Sequence, residues 1–197
     1  LESLNIEGLS IIYPYERLLN ESKKNLTYWK NDTHCNTYGA YIGYLKLINE
    51  IKKDFPDIQE VNETDINISE RAFLNPDLLK LLSMDIEKGL EKYKNVLYKT
   101  LSLKKENFDY VKNAGKDGRD GIITKSNKKY KVLVFRDSFT ISMVPYISQT
   151  FGEVNYIWSH NLNEYEILIN NYKPDIVIYE SVERYIENLK NNFSLKE

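Results

Sequence analysis

The most regular pattern of apolar and polar residues begins at residue 131. The run Val132-Leu-Val-Phe135 is continuously apolar and is soon followed by the polar residues Asp137 and Ser138. Such a run is typical of a strand that is covered on both faces, as in a parallel sheet. The apolar residues that come next are spaced as on a helix: Ile141, Val144, Ile147 and Phe151. The pattern therefore predicts a strand at 131–135 and a helix at 138–150.

Two further pairs of a strand and a helix follow along the chain. The strands are predicted at 153–158 and 175–179, and the helices at about 162–170 and after Tyr185. Strands that alternate with helices at this spacing form right-handed β-α-β units around a parallel sheet. The chain from residue 131 onward is therefore predicted to belong to the α/β class.

The preceding part of the chain is less regular and predicts several separate elements. A short apolar strand is expected at 7–14, and a short helix or a loop at 15–24. A broad apolar face predicts a long helix at 40–51. Weak alternation at 58–70 indicates one or two strands, and a leucine-rich stretch indicates a short helix at 78–82.

The middle of the chain combines a helix cap with an expected insertion. Asn75 and Asp77 precede the short leucine-rich helix and are suited to cap it. Residues 85–99 are charged and show no clear period. We predict a small β-hairpin insertion around 97–130, with arms at Phe108–Val111 and Gly121–Thr124 and its turn in the Gly/Asp/Lys-rich stretch 114–120.

Composition limits the class of protein. A length of 197 residues suits one domain with its own core, and a formal charge of −2 gives no basic surface for nucleic acid. Cys35 is the only cysteine, so no intramolecular disulfide can form. No stretch approaches the ~20 apolar residues of a membrane span. The chain begins with Leu1 and has no signal-peptide pattern, so we expect a single domain from a longer protein whose upstream residues could include a signal or an anchor.

Ser138 is the first candidate for chemistry. A strand that turns directly into a helix places its last residues at the carboxyl edge of the sheet, where open α/β folds bind ligands. A serine at a helix start can act as a nucleophile, and the amides beside it can stabilise an oxyanion. The alternative is that Asp137 and Ser138 form an ordinary N-cap, which both residue types favour.

Of the two histidines, His34 is the better candidate for a general base. Asp32 lies two residues before it, so its carboxylate can bond one ring nitrogen and orient the other. With Ser138, these residues complete the parts of a hydrolytic triad in the order Asp, His, Ser. His160 follows a predicted strand without a partner in the sequence, and we expect it to be a loop histidine.

Three blocks of the sequence carry a resemblance to a known family. Trp29-Lys-Asn-Asp-Thr-His-Cys-Asn-Thr-Tyr-Gly-Ala40 is similar to the Asp-Thr-His-Trp block of the SGNH-hydrolase-like proteins of alginate O-acetylation. Phe135-Arg-Asp-Ser-Phe139 resembles their Gly-Asp-Ser-Phe block, and Lys173-Pro-Asp-Ile-Val-Ile-Tyr-Glu-Ser-Val-Glu-Arg-Tyr185 resembles their closing block. The three blocks stand in the family's order and span residues 28 to 188.

The resemblance implies a three-layer α/β/α fold with a mainly parallel, flavodoxin-like (SGNH) sheet. It also implies transfer or hydrolysis of an O-acyl group, typically acetyl on an exported polysaccharide. Ser138 would then be the nucleophile, His34 the base and acid, and Asp32 the residue that orients His34. We expect no cofactor and no metal ion.

Two residues depart from the family pattern. Arg136 stands where the family often has glycine, and it could offer donors to an oxyanion or an acidic sugar, or block the site. Cys35 replaces a tryptophan and removes a ring that could stack on a sugar. An alternative role for Cys35 as the nucleophile is disfavoured, because adjacent side chains usually diverge.

Several other residues are candidates for contacts to the oxyanion or to a sugar. The Ser138 amide is expected to be one oxyanion donor, and candidates for the second are Arg136, Asn36 and Arg184. Tyr28, Trp29 and Tyr38 flank the Asp-His block and could stack on a sugar, although core packing explains each equally well. Arg184 could bind a substrate oxygen or pair with Glu180.

Three functions remain open at this point: a polysaccharide O-acetyltransferase, an acetylesterase or small acylhydrolase, and a non-catalytic carbohydrate-binding relative. The expected partners are a polysaccharide or another acyl ester and, by the family link, a membrane acyltransferase. The same link implies an extracytoplasmic or cell-surface location in a bacterium.

Overall fold

The computed structural model describes residues 8–73, 75, 77–112, 121–158 and 165–185. Contacts divide the chain into two compact units, Leu1–Lys104 and Lys105–Glu197, which are described in turn as the first and the second unit. The organisation as a single domain stays a prediction. Within the described residues, no helix is both long enough and apolar enough to cross a bilayer.

The first unit combines helices with a two-stranded antiparallel sheet. Its helices are α1 (Tyr15–Ser22), α2 (Thr37–Ile51), α3 (Asp77–Leu81) and α4 (Ile86–Tyr93). Its strands β1 (Ile66–Ala72) and β2 (Leu97–Leu103) pair from Ile66 opposite Leu103 to Ala72 opposite Leu97. A short 3-10 helix, Glu63–Asp65, leads into β1.

Helix α2 forms the centre of this unit because one of its faces is apolar along its whole length. Tyr44 and Ile48 are completely buried. The Tyr44 hydroxyl accepts a hydrogen bond from the Val61 amide (2.8 Å), and the Tyr41 hydroxyl donates to the Val61 carbonyl (2.9 Å). The hydroxyl of a buried tyrosine usually finds such a partner. The Leu101 amide donates to Thr37 Oγ1 (2.8 Å), which joins α2 to β2.

The second unit contains a five-stranded mixed sheet in the order β3-β4-β6-β5-β7. Its elements are β3 (Phe108–Lys112), β4 (Ile122–Ser126), β5 (Lys131–Arg136), α5 (Val144–Thr150), β6 (Glu153–Trp158), α6 (Tyr165–Tyr172) and β7 (Ile176–Tyr179). Strand β5 runs parallel to both β6 and β7, whereas β4 is antiparallel to β3 and β6.

Strand β5 lies in the middle of the parallel part, as its apolar run predicts. Its residues Val132, Leu133, Val134 and Phe135 are completely buried. Leu133 and Phe135 form a cluster with Tyr165 of α6, whose ring stacks on that of Phe135 at a centroid distance of 3.6 Å. Burying side chains of this size stabilises the fold by roughly 1.5–3 kcal/mol each.

The three parallel strands predicted from the sequence are confirmed, and α6 confirms the helix between the last two over its described part. The helix predicted at 138–150 begins instead as a 3-10 helix, Phe139–Met143, and becomes α-helical at Val144. The predicted closing helix, the expected hairpin turn at 114–120 and His160 lie outside the described residues.

Of two further predictions, one is wrong and the other is confirmed in part. Residues 8–14 form no strand; Leu9 and Tyr13 are about half exposed, and Pro14 is the N-cap of α1. The predicted hairpin is confirmed, because β3 and β4 form an antiparallel pair, which joins the main sheet through β6. It does not extend over the whole of 97–130, since the first part of that segment is β2, which pairs with β1. Strand pairing is decided by distant residues, which local alternation does not reveal.

Candidate active site

In the first unit, residues 27–36 fold back on themselves and are called here the histidine loop. Tyr28 and Cys35 form an isolated antiparallel bridge, and the Asn36 amide donates to the Thr27 carbonyl (2.9 Å). Asn31 turns the chain with a left-handed backbone (φ 62°), a conformation that asparagine tolerates better than most residues. The loop therefore presents Asp32, Thr33 and His34 at its tip.

Asp32 and His34 form the predicted hydrogen-bonded pair. His34 Nδ1 lies 2.7 Å from Asp32 Oδ1, and the His34 amide donates to the same oxygen (2.8 Å). The Asp32 side chain is 3% exposed, whereas that of His34 is 32% exposed. A carboxylate at Nδ1 favours the tautomer with its proton on that nitrogen, in which Nε2 is the basic atom. The pair thus has the geometry of an oriented general base.

Two residues that support this pair cannot be recognised as site residues from the sequence. The Asn75 side-chain amide donates to Asp32 Oδ2, the oxygen that His34 does not use. Asp77, at the start of α3, accepts from the Thr33 amide (3.0 Å) and the Thr33 hydroxyl (2.7 Å). In the sequence both looked like residues that cap a short helix. Nothing in their spacing connects them with residues more than 40 positions earlier.

The same group of side chains could also hold a cation. Asp32, His34 and Asp77 offer ligand atoms that all lie within 4.8 Å of one another. One imidazole and two carboxylates would suit a divalent metal ion. A cation bound at His34 Nδ1 would compete with the Asp32–His34 hydrogen bond, so the oriented base and the metal site are alternative uses of these residues.

In the second unit, Ser138 lies directly after β5 and is the N-cap of the 3-10 helix Phe139–Met143. Its side chain makes no capping hydrogen bond. Asp137 performs that role, because its Oδ1 accepts from the Phe139 amide (2.8 Å). The side chain that caps this helix is therefore that of Asp137. The Ser138 hydroxyl does not cap it.

Asp137 and Glu180 are called here the carboxylate pair, and they connect the ends of β5 and β7. Asp137 Oδ2 accepts from the Val182 amide (2.8 Å). Glu180 Oε2 accepts from the Asp137 amide (3.1 Å) and from the Thr140 hydroxyl (2.6 Å). Burial and, after it, the negative charge of Asp137 raise the pKa of Glu180 to about 7.

The two candidate arginines of this unit differ in exposure. Arg136 is completely buried, donates from Nη1 to the Asp137 carbonyl (3.1 Å) and lies 5.2 Å from the centre of the Trp158 ring. Burial lowers its pKa, and the charges of Glu180 and Asp137 counteract that effect. This burial argues against Arg136 as an oxyanion donor. Arg184 is exposed, and its guanidinium lies 5.9 Å from the centre of the Phe139 ring, next to Ser138 in sequence.

The remaining candidates lie in the first unit and are mostly structural. Asn36 is completely buried as the N-cap of α2, since its Oδ1 accepts from the Gly39 amide (2.8 Å) and its Nδ2 donates to the Leu26 carbonyl (2.6 Å). Trp29 is 7% exposed and packs against Phe73 and Tyr98. Both are therefore poor candidates for substrate contacts.

The two tyrosines Tyr28 and Tyr38 differ in exposure. Tyr38 is 6% exposed, and its hydroxyl donates to Glu21 (2.6 Å), so packing accounts for it. Tyr28 is 42% exposed and stays a candidate for stacking on a sugar.

The predicted triad draws its members from both units. The structure brings Asp32 and His34 together within the first unit, and it places Ser138 on a rigidly bonded turn of the second unit. Catalysis by these three residues as one triad stays a prediction.

No family model and no curated protein matches the chain. Among solved structures, the chain is similar to a DHHW family protein from Eubacterium siraeum, with a TM-score of 0.65 and 14% identity over 92% of this chain and 68% of that one. It is also similar to Bacillus cereus PatB1, with a TM-score of 0.56 and 19% identity over 81% of this chain and 63% of that one. A structure of PatB1 with a sulfonyl adduct gives a TM-score of 0.57 at 18% identity and covers 82% of this chain and 64% of that one. The chain thus spans slightly less than two thirds of PatB1, and these likenesses show a shared fold.

Proposed function

We propose that the protein transfers an O-acyl group, typically acetyl, to or from a polysaccharide through an acyl-serine intermediate. The observation that carries this proposal is the Asp32–His34 hydrogen bond of 2.7 Å, whose carboxylate is held from its other side by Asn75. A histidine oriented by a buried carboxylate is the general base that a serine nucleophile needs. Ser138, whose hydroxyl caps no helix, is the nucleophile.

The reaction follows from the chemistry of these groups. His34 Nε2 takes the proton of Ser138 as the serine oxygen attacks the ester carbonyl. The bond from the serine oxygen to the acyl carbon forms, the bond from that carbon to the leaving oxygen breaks, and His34 returns its proton to the leaving oxygen. A sugar hydroxyl or water then attacks the acyl-serine, which distinguishes a transferase from an esterase. Arg184, whose exposed guanidinium lies near the Phe139 ring, is the cation that we propose to contact the substrate.

The shared fold gives further support. A structure of PatB1 carries a sulfonyl adduct, and sulfonyl electrophiles react with activated nucleophiles such as serine. For this chain we propose the flavodoxin-like three-layer arrangement, which agrees with a β5 strand that is buried on both faces. We also propose an extracytoplasmic, cell-surface location and cooperation with a membrane acyltransferase that supplies the acyl group.

Hydrolysis of p-nitrophenyl acetate by the wild-type protein and by Ser138→Ala tests the reaction. We expect the variant to lose at least about a thousandfold in kcat/KM, because the nucleophile is removed. Ser102→Ala, at an exposed position of β2, is the matched control and should keep wild-type activity. Equal turnover by Ser138→Ala and wild type would contradict the proposal and favour a binding module of the same fold.

Two additions make the experiment specific. A sulfonyl fluoride should add one sulfonyl group to the wild-type protein and none to Ser138→Ala, as measured by intact mass. EDTA should leave the rate unchanged. Loss of activity in EDTA that a divalent cation restores would instead assign Asp32, His34 and Asp77 to a metal centre. Acetyl transfer to an added glycan, compared with release into water, separates transferase from esterase.

A further inference from the structure

The parallel strands β5 and β7 end side by side, with Phe135 opposite Tyr179. Each strand is followed by a carboxylate that bonds the loop after the other strand. Asp137, after β5, accepts from the Val182 amide, and Glu180, after β7, accepts from the Asp137 amide. The carboxylate pair therefore ties the two loops together in both directions.

The bonds of this pair surround Ser138 on both sides. The Asp137 amide and the Thr140 hydroxyl both donate to Glu180 Oε2, and the Phe139 amide donates to Asp137 Oδ1. The residue before Ser138 and the two residues after it are thus fixed by these two carboxylates. Glu180 as a residue is partly exposed, but its carboxyl group is buried enough that burial is the largest cause of its raised pKa.

We infer that Glu180 is a positioning residue for the Ser138 nucleophile, an inference that rests on the acyl transfer proposed above. Glu180 holds the backbone of residues 137–140 in the conformation that presents the serine hydroxyl and the neighbouring amides. Neither the substrate nor the reacting atoms need to touch it. Misplacing a nucleophile by a fraction of an ångström slows the chemical step much more than it weakens binding.

The charge of Glu180 gives this role a pH dependence. Among the residues that the structure describes, the charged and titratable groups around it are Asp137, Arg136 and Tyr179. With a pKa of about 7, Glu180 becomes ionised as the pH rises above neutrality, which places a second negative charge beside Asp137. An added negative charge beside the Ser138 turn opposes the negative charge that develops on the substrate oxygen in the proposed reaction. We therefore expect kcat to fall as Glu180 ionises.

The experiment compares Glu180→Gln, Glu180→Leu and Thr140→Val with the wild type. Glutamine keeps an oxygen that accepts from Asp137 and Thr140 but does not titrate. We expect near wild-type kcat at pH 6 and loss of the decline above pH 7. Leucine removes the acceptor, and we expect kcat to fall at least tenfold with little change in KM. Thr140→Val removes one of the two donors, and its kcat should lie between those of wild type and Glu180→Leu.

Glu183→Gln, an exposed glutamate on the same loop, is the matched control and should keep the wild-type pH profile. Ser138→Ala is measured in parallel. If it retains full activity, the acyl-serine reaction is wrong and this inference is wrong with it. If Ser138→Ala is inactive but Glu180→Leu and Glu180→Gln both match the wild type in kcat and pH profile, only the positioning role is overturned. Should Glu180→Leu fail to fold, the pH profile of Glu180→Gln decides.

Discussion

At the residue scale, the orientation of His34 depends on the hydrogen bonds that hold the Asp32 carboxylate. Its carboxylate is buried, and a buried charge is tolerated only when hydrogen bonds replace the lost water. Three donors do so: the ring and the amide of His34, and the side chain of Asn75. The spacing of Asp32 and His34 predicts the first contacts because they are local. The contact with Asn75 depends on the tertiary fold.

Asp77→Asn tests whether the second carboxylate near His34 matters. Asp77 Oδ2 lies 3.7 Å from His34 Nδ1 and accepts the Thr33 hydroxyl, so it holds the tip of the histidine loop. We expect kcat for p-nitrophenyl acetate to fall roughly tenfold, which corresponds to about 1.4 kcal/mol of transition-state stabilisation. Asp54→Asn, at an exposed position after α2, is the control. An unchanged kcat in Asp77→Asn would mean that Asp77 only supports the helix start.

At the scale of elements, the parallel strands, the β3–β4 hairpin and helix α2 were predictable, whereas the pairing of β1 with β2 and helix α4 were not. The strands β5, β6 and β7 follow from short apolar runs separated by helical spacing, a signal contained within each segment. The pairing of β1 with β2 joins residues about 30 positions apart, and α4 is a short charged helix whose apolar positions are few. Such elements form because tertiary contacts stabilise them, which local patterns do not report.

In the candidate site, too, local features were predictable from the sequence and tertiary contacts were not. Ser138, His34 and Asp32 were proposed from strand-end position, spacing and resemblance. The Asp32–His34 contact is confirmed, whereas the triad stays a prediction. The burial of Arg136 and Asn36 was not predictable, because a polar residue is buried only where the fold supplies partners. Glu180 escaped notice as a site residue for the same reason: its role depends on strands that become neighbours only in the folded sheet.

Gly39→Ala tests the join between helix α2 and the histidine loop. A Cβ at Gly39 would lie 2.2 Å from the Thr27 carbonyl oxygen, a backbone atom that cannot move aside cheaply. Alanine normally stabilises a helix by about 1 kcal/mol relative to glycine, so a loss of stability would identify the clash. We expect the free energy of unfolding to fall by about 2 kcal/mol or more, as measured by urea denaturation.

The same variant should also lose esterase activity, since the displaced loop carries Asp32 and His34. Asn49→Ala, at an exposed position of α2, introduces the same residue without the clash and should be neutral or slightly stabilising. Equal stabilities of Gly39→Ala and Asn49→Ala would contradict the close approach of α2 to Thr27.

At the scale of the whole molecule, the carboxylate pair links stability to pH. The pKa of Glu180 rises from its ordinary value of 4.5 to about 7 in the folded protein, mainly through burial. The folded state then holds this proton more tightly than the unfolded state does. The resulting stabilisation is fully present below pH 4.5 and is lost as the pH rises through 7. The rise in pKa corresponds to roughly 3 kcal/mol.

Comparison of the wild type with Glu180→Gln reports the contribution of the carboxylate pair, because the carboxylates away from Glu180 titrate alike in both proteins. We expect the stability of wild type relative to Glu180→Gln to fall by roughly 3 kcal/mol between pH 4 and pH 8. Trp29 belongs to the first unit and Trp158 to the second. Urea unfolding followed by Trp158 fluorescence in a Trp29→Phe background therefore reports on the unit that contains the pair. A difference in stability that stays constant across this pH range would mean that the pKa of Glu180 is the same in the folded and the unfolded protein, and the pH dependence expected for catalysis would lose its basis.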